Sequence, residues 1–366
     1  TPDDRVLLTL PLYHGTGGMC GVGCALMSGA AIILRRRFSA SHFWEEARMN
    51  GATMFVYIGE MARYLMNLPP DEGERDHRIV KAFGNGLRPD VWKAFVARTG
   101  IKRLVEFYGS TEGNVSMINL DGRIGAIGRI PPILRKRLPV KLLRMDLETE
   151  EPLRNAEGFC IESAPDEPGE AVAPIRDDDN RARFEGYNDE AQTRKKILKG
   201  VFAPDDIYFR TGDLMRRDKD GYFYFIDRIG DTFRWKSENA STNEIGEVLD
   251  VFDGVELANV YGVEVPGHEG RAGMAALTIR GDLDLAGLWG HLQRELPEYA
   301  RPVFLRIRQS ADTTGTFKYR KVELVKEGFD PAVVSDPLYF ASPSRQAYVP
   351  LDDALYQQIC RNAIRF

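Results

Sequence analysis

Between residues 5 and 109, short apolar runs alternate with longer stretches of helical period, and this alternation constrains the fold more than any other feature of the chain. Residues 6–12, 30–34, 54–58, 79–83 and 104–108 are nearly continuous apolar runs, the pattern of strands covered on both faces. Residues 41–50 and 89–99 carry the spacing of amphipathic helices. Strand and helix in strict succession predict an α/β layered domain on a mainly parallel sheet. Such sheets bind ligands at the carboxyl ends of their strands, so chemistry is to be sought in the loops that follow these runs.

From residue 113 to 226 the texture changes to short strands punctuated by turns, as at Asn155-Ala156-Glu157-Gly158, Glu167-Pro168-Gly169-Glu170 and Lys219-Asp220-Gly221. This predicts a small β-rich subdomain with one short helix at 190–198. Its acidic run Asp177-Asp178-Asp179 reads as a solvated loop. After Arg228 the pattern is mixed α+β, with helices expected at 243–249 and 285–296 and strands at 255–263, 273–279 and 303–307.

Composition excludes several classes. A formal net charge of -5 gives no broad attraction for nucleic acid. Cys20, Cys24, Cys160 and Cys360 form no CxxC pair, which argues against a disulfide framework or a structural zinc and for a reducing compartment. Residues 17–34 are apolar enough to suggest a membrane span, with Arg35, Arg36 and Arg37 behind them. Five interruptions, at Gly17, Gly18, Gly21, Gly23 and Gly29, favour instead a buried helix, a turn at Ser28-Gly29 and a strand. The chain opens on Thr1 with strand-like sequence and reads as an internal stretch of a longer protein.

Four segments concentrate the chemistry. Tyr108-Gly109-Ser110-Thr111-Glu112-Gly113 follows an apolar strand: its glycines allow close backbone approach, Thr111 offers a hydroxyl, Glu112 hard oxygen for Mg²⁺, and Tyr108 a flat face for a base. A polar turn capped by Thr and Glu is the competing reading. In Tyr208-Phe209-Arg210-Thr211-Gly212-Asp213-Leu214, the Asp213 carboxylate could accept both hydrogen bonds of a ribose diol or merely brace a turn. Asp227-Arg228-Ile229-Gly230-Asp231-Thr232-Phe233-Arg234-Trp235-Lys236 lies where the texture changes. Thr314-Gly315-Thr316-Phe317-Lys318 presents a lysine on a glycine turn, a mobile cation for a carboxylate or phosphate.

These four segments in this order resemble the adenylate-forming superfamily. LPLYH at 10–14, YIGEMARYL at 57–65, GNGLRPDVW at 84–92, YGVEVPGHEGRAGMAA at 261–276 and LPEYARPVFLR at 296–306 narrow the resemblance to the fatty acid transport protein, or very-long-chain acyl-CoA synthetase, branch. The resemblance implies a large AMP-binding domain over residues 1–226 (1–112 α/β, 113–226 β-rich), a hinge at 227–231 and a small mobile α+β domain over 232–366. It implies ATP, Mg²⁺ and coenzyme A as reaction partners, a long-chain fatty acid as substrate, and an acid–thiol ligase that forms acyl-AMP and then acyl-CoA.

Residue by residue, the resemblance sets Tyr108 against adenine with Gly109 in the nucleotide site, Thr111 on the α-phosphate, Glu112 on Mg²⁺, and Asp213 and Arg228 on the ribose. Gly84 and Asn85 line the nucleotide site and Gly86 the acyl end, with His14 near the acyl carboxylate. Lys318 bridges carboxylate and ATP during adenylation, and Gly230 and Asp231 serve the hinge. Two departures stand out. No TSGTTG-type phosphate loop occurs in these residues, so the segment is expected to be inactive alone. Ser237 stands where related sequences carry glycine, which would be strained if that position needs a positive φ. A lipid-partitioning substrate implies a membrane surface as partner, with the catalytic part in the cytoplasm; a soluble cytoplasmic enzyme is the alternative. A noncatalytic fatty acid transport or binding protein, and a ligase for bile or aryl acids, are the competing functions.

Overall fold

The computed structural model describes residues 1–110, 115–134, 137–147, 149–176, 183–308, 321–364 and 366. The chain divides into two compact units, Thr1–Arg144 with Pro152–Phe225, and Met145–Glu151 with Ile226–Phe366.

The first unit opens with β1 (Arg5–Leu8), a π-helical turn (Thr16–Val22) continuing into α1 (Gly23–Ser28), and β2 (Ala31–Leu34). Then come α2 (Phe43–Met49), β3 (Met54–Ile58), α3 (Gly59–Asn67), β4 (Lys81–Asn85), α4 (Pro89–Thr99) and β5 (Arg103–Gly109). The strands lie in the order β2-β1-β3-β4-β5, all parallel. Chain order reverses direction at β1, which puts a topological switch point between β1 and β3. Both faces are covered, as the unbroken apolar runs require. Leu7, Phe55, Tyr57 and Leu104 face the layer of Phe43, Trp44, Trp92 and Phe95, while Val6, Leu8 and Val56 face Ala25 and Met61. Each fully buried side chain of this kind contributes roughly 1.5–3 kcal/mol.

The sheet continues through β6 (Ser116–Asn119) and β7 (Gly128–Arg129) to the β-rich part: β8 (Lys141–Leu143), β11 (Gly169–Pro174), β12 (Ile197–Lys199) and β13 (Ile207–Arg217); the short strands β9 (Met145–Asp146) and β10 (Glu151–Pro152) lie between β8 and β11 in the chain and outside this sheet. Strand β14 (Tyr222–Arg228) leads from the first unit into the second.

In the second unit, the hairpin of β15 (Phe233–Trp235) and β16 (Glu238–Ala240) precedes α6 (Thr242–Asp250). Ser241 caps α6 by accepting from the Glu244 amide, the first half of an S-x-x-E capping box. A five-stranded sheet follows in the order β17 (Val255–Val263), β18 (Ala272–Ile279), β19 (Phe304–Arg308), β20 (Leu338–Ser342) and β21 (Ala347–Pro350). It packs with α7 (Leu285–Glu295), α8 (Lys321–Glu327) and α9 (Asp353–Cys360) on a core that includes stacked Phe304 and Phe329 rings, 4.1 Å between centroids.

Two expected elements are shorter than anticipated. The first strand ends at Leu8 rather than residue 12, because the Pro11 carbonyl turns back to the His14 amide. The helix expected over 190–198 stops at Lys195 as α5 (Glu190–Lys195), since Ile197, Leu198 and Lys199 pair with β13. Residues 17–34 form the expected helix, turn and strand, with Gly29 in the left-handed region as the C-cap, but the helix is not buried as expected: Ala25 faces the core while Met19, Leu26 and Met27 are exposed. No helix among the described residues is long and apolar enough to cross a membrane. The acidic run Asp177-Asp178-Asp179 lies outside the described residues.

Candidate nucleotide site

His14 lies in the loop after β1, Gly84 and Asn85 end β4 with Gly86 following it, and Tyr108 and Gly109 end β5. Tyr108 lies near the end of β5 and Asp213 in β13, 105 positions away, and the Tyr108 hydroxyl donates to Asp213 Oδ2. A bulge in β13 makes this meeting possible. Val172 pairs with Arg210 while Glu170 pairs with Leu214, so β13 carries extra residues over Thr211-Gly212-Asp213. Thr211 Oγ1 closes the bulge, donating to the Ala171 carbonyl (2.7 Å) and accepting from the Asp213 amide (3.0 Å).

The bulge is fastened by a residue the motif does not contain. Glu170 is fully buried and accepts from Arg210 Nη2 (2.9 Å), Arg210 Nε (2.9 Å to Oε2) and the Gly212 amide (3.0 Å). Burial raises its pKa, opposed by the hydrogen bond and charge of Arg210.

A second buried carboxyl holds the Gly84-Asn85-Gly86 turn. Tyr57, Gly84 and Glu106 are neighbours across β3, β4 and β5. The Tyr57 hydroxyl donates to Glu106 Oε1 at 2.6 Å, and Glu106 accepts the amides of Gly86 (2.9 Å) and Leu87 (3.3 Å). The missing side chain at Gly84 makes the rung possible: a Cβ there would lie 2.2 Å from the Tyr57 carbonyl oxygen and 2.6 Å from its ring. A Cβ at Gly59 would lie 1.7 Å from the Gly86 carbonyl oxygen, so the start of α3 also touches this turn through a bare backbone. With no cationic partner among the described residues, burial pushes the Glu106 carboxyl up to about 8, against the lowering effect of its three hydrogen bonds.

Asn85 connects this turn to the loop after β1. The Thr16 hydroxyl donates to Asn85 Oδ1 (3.1 Å), and the Thr16 amide donates to His14 Nδ1 (3.3 Å). His14, Thr16 and Asn85 thus form one chain of contacts at the carboxyl end of the sheet. The structure therefore joins His14 to Asn85, and Tyr108 to Asp213. Gly86 and Gly109 are exposed, leaving backbone accessible beside them. Ser110 Oγ is buried without a hydrogen-bond partner among the described residues, an open polar valence next to the loop. Exposed backbone at Gly86 and Gly109, a carboxylate at Asp213 and the Ser110 hydroxyl suit a polar, flat ligand such as a nucleoside.

The other expected residues stand elsewhere. Thr111, Glu112 and Lys318 lie outside the described residues, and no cluster of three metal-ligating side chains occurs among the described ones. Arg228, Gly230 and Asp231 belong to the second unit. There Asp227, buried, accepts from the Thr242 amide (2.6 Å) and hydroxyl, and Lys321 Nζ bridges Thr242 Oγ1 (2.9 Å) and Asp231 Oδ2 (3.2 Å). Burial raises the pKa of Asp227 and Lys321 opposes the rise. Gly230 has no left-handed torsion and open space around it, so this conformation does not itself demand glycine there.

Residues 1–170 match the family model of the AMP-binding enzymes. Over 366 residues the chain is 46% identical to mouse long-chain fatty acid transport protein 3, covering 99% of this chain and 54% of that protein. Nearly the whole chain is thus similar to the fatty acid transport proteins, and its first 170 residues match the AMP-binding enzymes. Mouse long-chain fatty acid transport protein 6 is 44% identical over 368 residues, 100% of this chain and 59% of the relative, and rat long-chain fatty acid transport protein 2 is 43% identical over 99% and 58%. The chain spans between half and three fifths of the length of these curated relatives. Among solved structures, ATP-bound MatB from Rhodopseudomonas palustris superposes with a TM-score of 0.69 at 22% identity, covering 89% of this chain and 60% of MatB. The o-succinylbenzoate CoA synthetase MenE from Bacillus subtilis, in complex with its acyl-adenylate intermediate, gives 0.66 at 20% identity over 88% and 60%. These likenesses show the fold, which is that of MatB and MenE over most of the chain.

Sequence reasoning missed Tyr57, Glu106 and Glu170. Glu106 left a trace: it is a lone carboxyl at an inward position of an apolar strand, two residues after buried Leu104. Glu170 left none, because its role depends on the pairing of β11 with the bulge in β13.

Proposed function

We propose that these residues form the adenosine-binding and lysine-bearing part of an ATP- and Mg²⁺-dependent long- or very-long-chain fatty acid–CoA ligase. The observation that carries the reading is the bond between Tyr108 and Asp213, which joins two of the sequence motifs at the edge of one sheet. Tyr108 offers a face for adenine, and the Asp213 carboxylate is an acceptor-only group suited to ribose hydroxyls. Asn85 and Gly86 line the adjoining edge, and His14 stands toward the acyl end. Arg228 completes the ribose contacts.

In the adenylation half the fatty carboxylate attacks the α-phosphorus and pyrophosphate leaves. Lys318 neutralises charge on both reactants and Thr111 holds the α-phosphate, an electrostatic contribution that counts most where charge develops in the transition state. Glu112 holds Mg²⁺. In the second half the thiol of coenzyme A attacks the acyl carbon and AMP departs, after a swing of the small domain about Gly230 and Asp231 withdraws Lys318. These residues contain no TSGTTG-type phosphate loop, so by themselves they bind AMP and do not adenylate.

The test is pyrophosphate release with a panel of long-chain, bile and aryl acids. In a protein that shows the activity, Lys318→Ala abolishes acyl-AMP formation. Fatty acid uptake that persists without any ligase activity would favour the noncatalytic reading, and turnover confined to bile or aryl acids would replace the fatty substrate.

A further inference from the structure

Glu106 is almost entirely buried, has no cationic partner among the described residues, and spends its acceptors on one hydroxyl and two backbone amides. A carboxyl kept out of water without a counter-charge is costly, and an apolar side chain would fill the same space more favourably. Its contacts single out one place: the amides of Gly86 and Leu87, which end the turn that begins at Gly84. Two residues further along β5, on the same face of the strand, is Tyr108, whose hydroxyl holds Asp213. Glu106 therefore connects the two halves of the candidate site, the turn after β4 and the Tyr108–Asp213 pair.

The connection runs through backbone. Tyr57 reaches Glu106 over the bare Gly84, so ring, glycine and carboxyl form a rung across three parallel strands. With the Gly86 amide turned inward to Glu106, the outer side of the Asn85-Gly86 peptide is available to a ligand. Asn85 is meanwhile held by Thr16.

We propose that Glu106 is a positioning residue for the nucleotide, setting the turn at Asn85 and Gly86 against Tyr108 through the two amides it holds. The inference rests on the nucleotide reading above and adds to it a residue outside its motifs. Glu106 touches no substrate; it fixes the backbone that does.

AMP is the probe, because it carries no β- or γ-phosphate and so needs no phosphate loop. Titration calorimetry measures AMP affinity of the 366-residue chain and of Glu106→Gln, and amide hydrogen exchange follows Gly86 and Leu87 in both. Glutamine offers one acceptor oxygen and turns an N–H₂ toward groups that also donate, so at least one amide loses its partner. Exchange at Gly86 or Leu87 should rise and AMP affinity should fall together, by about tenfold, at a temperature where circular dichroism shows both proteins folded. A role confined to stability would lower the melting temperature and leave affinity of the folded protein unchanged. Faster exchange with unaltered AMP affinity overturns the inference, as does no change in either. Glu106→Leu, where it folds, removes both acceptors and should weaken AMP at least as much. A parent chain that binds no AMP would instead bring down the nucleotide reading itself, a result distinct from a parent and a Glu106→Gln variant that bind alike.

Discussion

Two turns of the first unit solve the same problem with different electrostatics. At Gly84-Asn85-Gly86 and at Thr211-Gly212-Asp213, a buried glutamate accepts a glycine amide and so fixes a loop that the sequence motifs mark as ligand-binding. Glu170 has Arg210 beside it, and the pair is an ion pair braced by backbone. Glu106 has Tyr57 and two amides, with no positive charge paired to it among the described residues. A buried carboxyl can therefore be kept either by a counter-ion or by giving up its charge, and the two choices respond differently to mutation and pH.

The largest effect should come from breaking the ion pair. Glu170→Leu leaves the Arg210 guanidinium, only 14% exposed, without its partner and the Gly212 amide without an acceptor. Urea unfolding should show a loss of ~3–5 kcal/mol, most of it recovered when Arg210→Met is added. A loss that persists in the double variant would mean that the backbone bond to Gly212, not the charge, dominates at this turn.

The uncharged turn should instead show itself through pH. The Glu106 pKa, about 8 in the folded protein against an ordinary 4.5, means that the folded state holds this proton more tightly than the unfolded chain. The associated stability is complete below the unfolded value and is lost as pH rises through 8. Parent stability should therefore fall between pH 5 and 9 relative to Glu106→Gln, which cannot ionise, by up to a few kcal/mol at about 1.4 kcal/mol per unit. Parallel pH profiles for the two proteins would show that Glu106 finds its counter-charge after all and would erase the contrast with Glu170.

Gly84→Ala probes the rung that makes the Tyr57–Glu106 bond possible. The new Cβ meets backbone as well as ring, so β4 has to shift. Thermal or urea unfolding should register a loss of about 2 kcal/mol from overpacking, accompanied by weaker AMP binding. Full AMP affinity in a destabilised Gly84→Ala protein would show that the turn tolerates a displaced rung.

These cases also mark what the sequence makes legible. The parallel α/β unit follows from apolar runs and helical spacing, and residues 89–99 coincide with α4 because Pro89 and Gly100 bound the helix. Asn85, Tyr108 and Asp213 could be singled out because each lies in a glycine-bearing segment at the edge of a sheet. The partners that hold them could not. Tyr57, Glu106 and Glu170 act across strand register and through a bulge, information carried by pairing between distant segments and not by local pattern. The strands β20 and β21 and helix α9 went unread for a similar reason: the hairpin is short, and its register depends on packing with β19. Thr111, Glu112 and Lys318 remain readings of the sequence alone.

The smallest effect concerns a third turn, in the second unit, which has the unusual torsions without a carboxyl to hold them. Trp235 pairs with Glu238, so Lys236 and Ser237 form a two-residue hairpin loop, with φ of 52° and 65°. Both values fall in the left-handed region that such loops require and that residues with a Cβ adopt at a cost of about 1 kcal/mol each. The condition for strain at Ser237, a positive φ, is thus met; Lys236 is tied to Glu298 by an ion pair of 2.5 Å. Ser237→Gly should raise the stability of the second unit by ~0.5–1 kcal/mol, net of the entropy glycine adds to the unfolded chain. Lys236→Gly should give less, because the same relief comes with loss of the contact to Glu298. Equal gains from both would mean that this surface ion pair contributes nothing, and a loss in Ser237→Gly would mean that the serine side chain makes a contribution larger than its backbone strain.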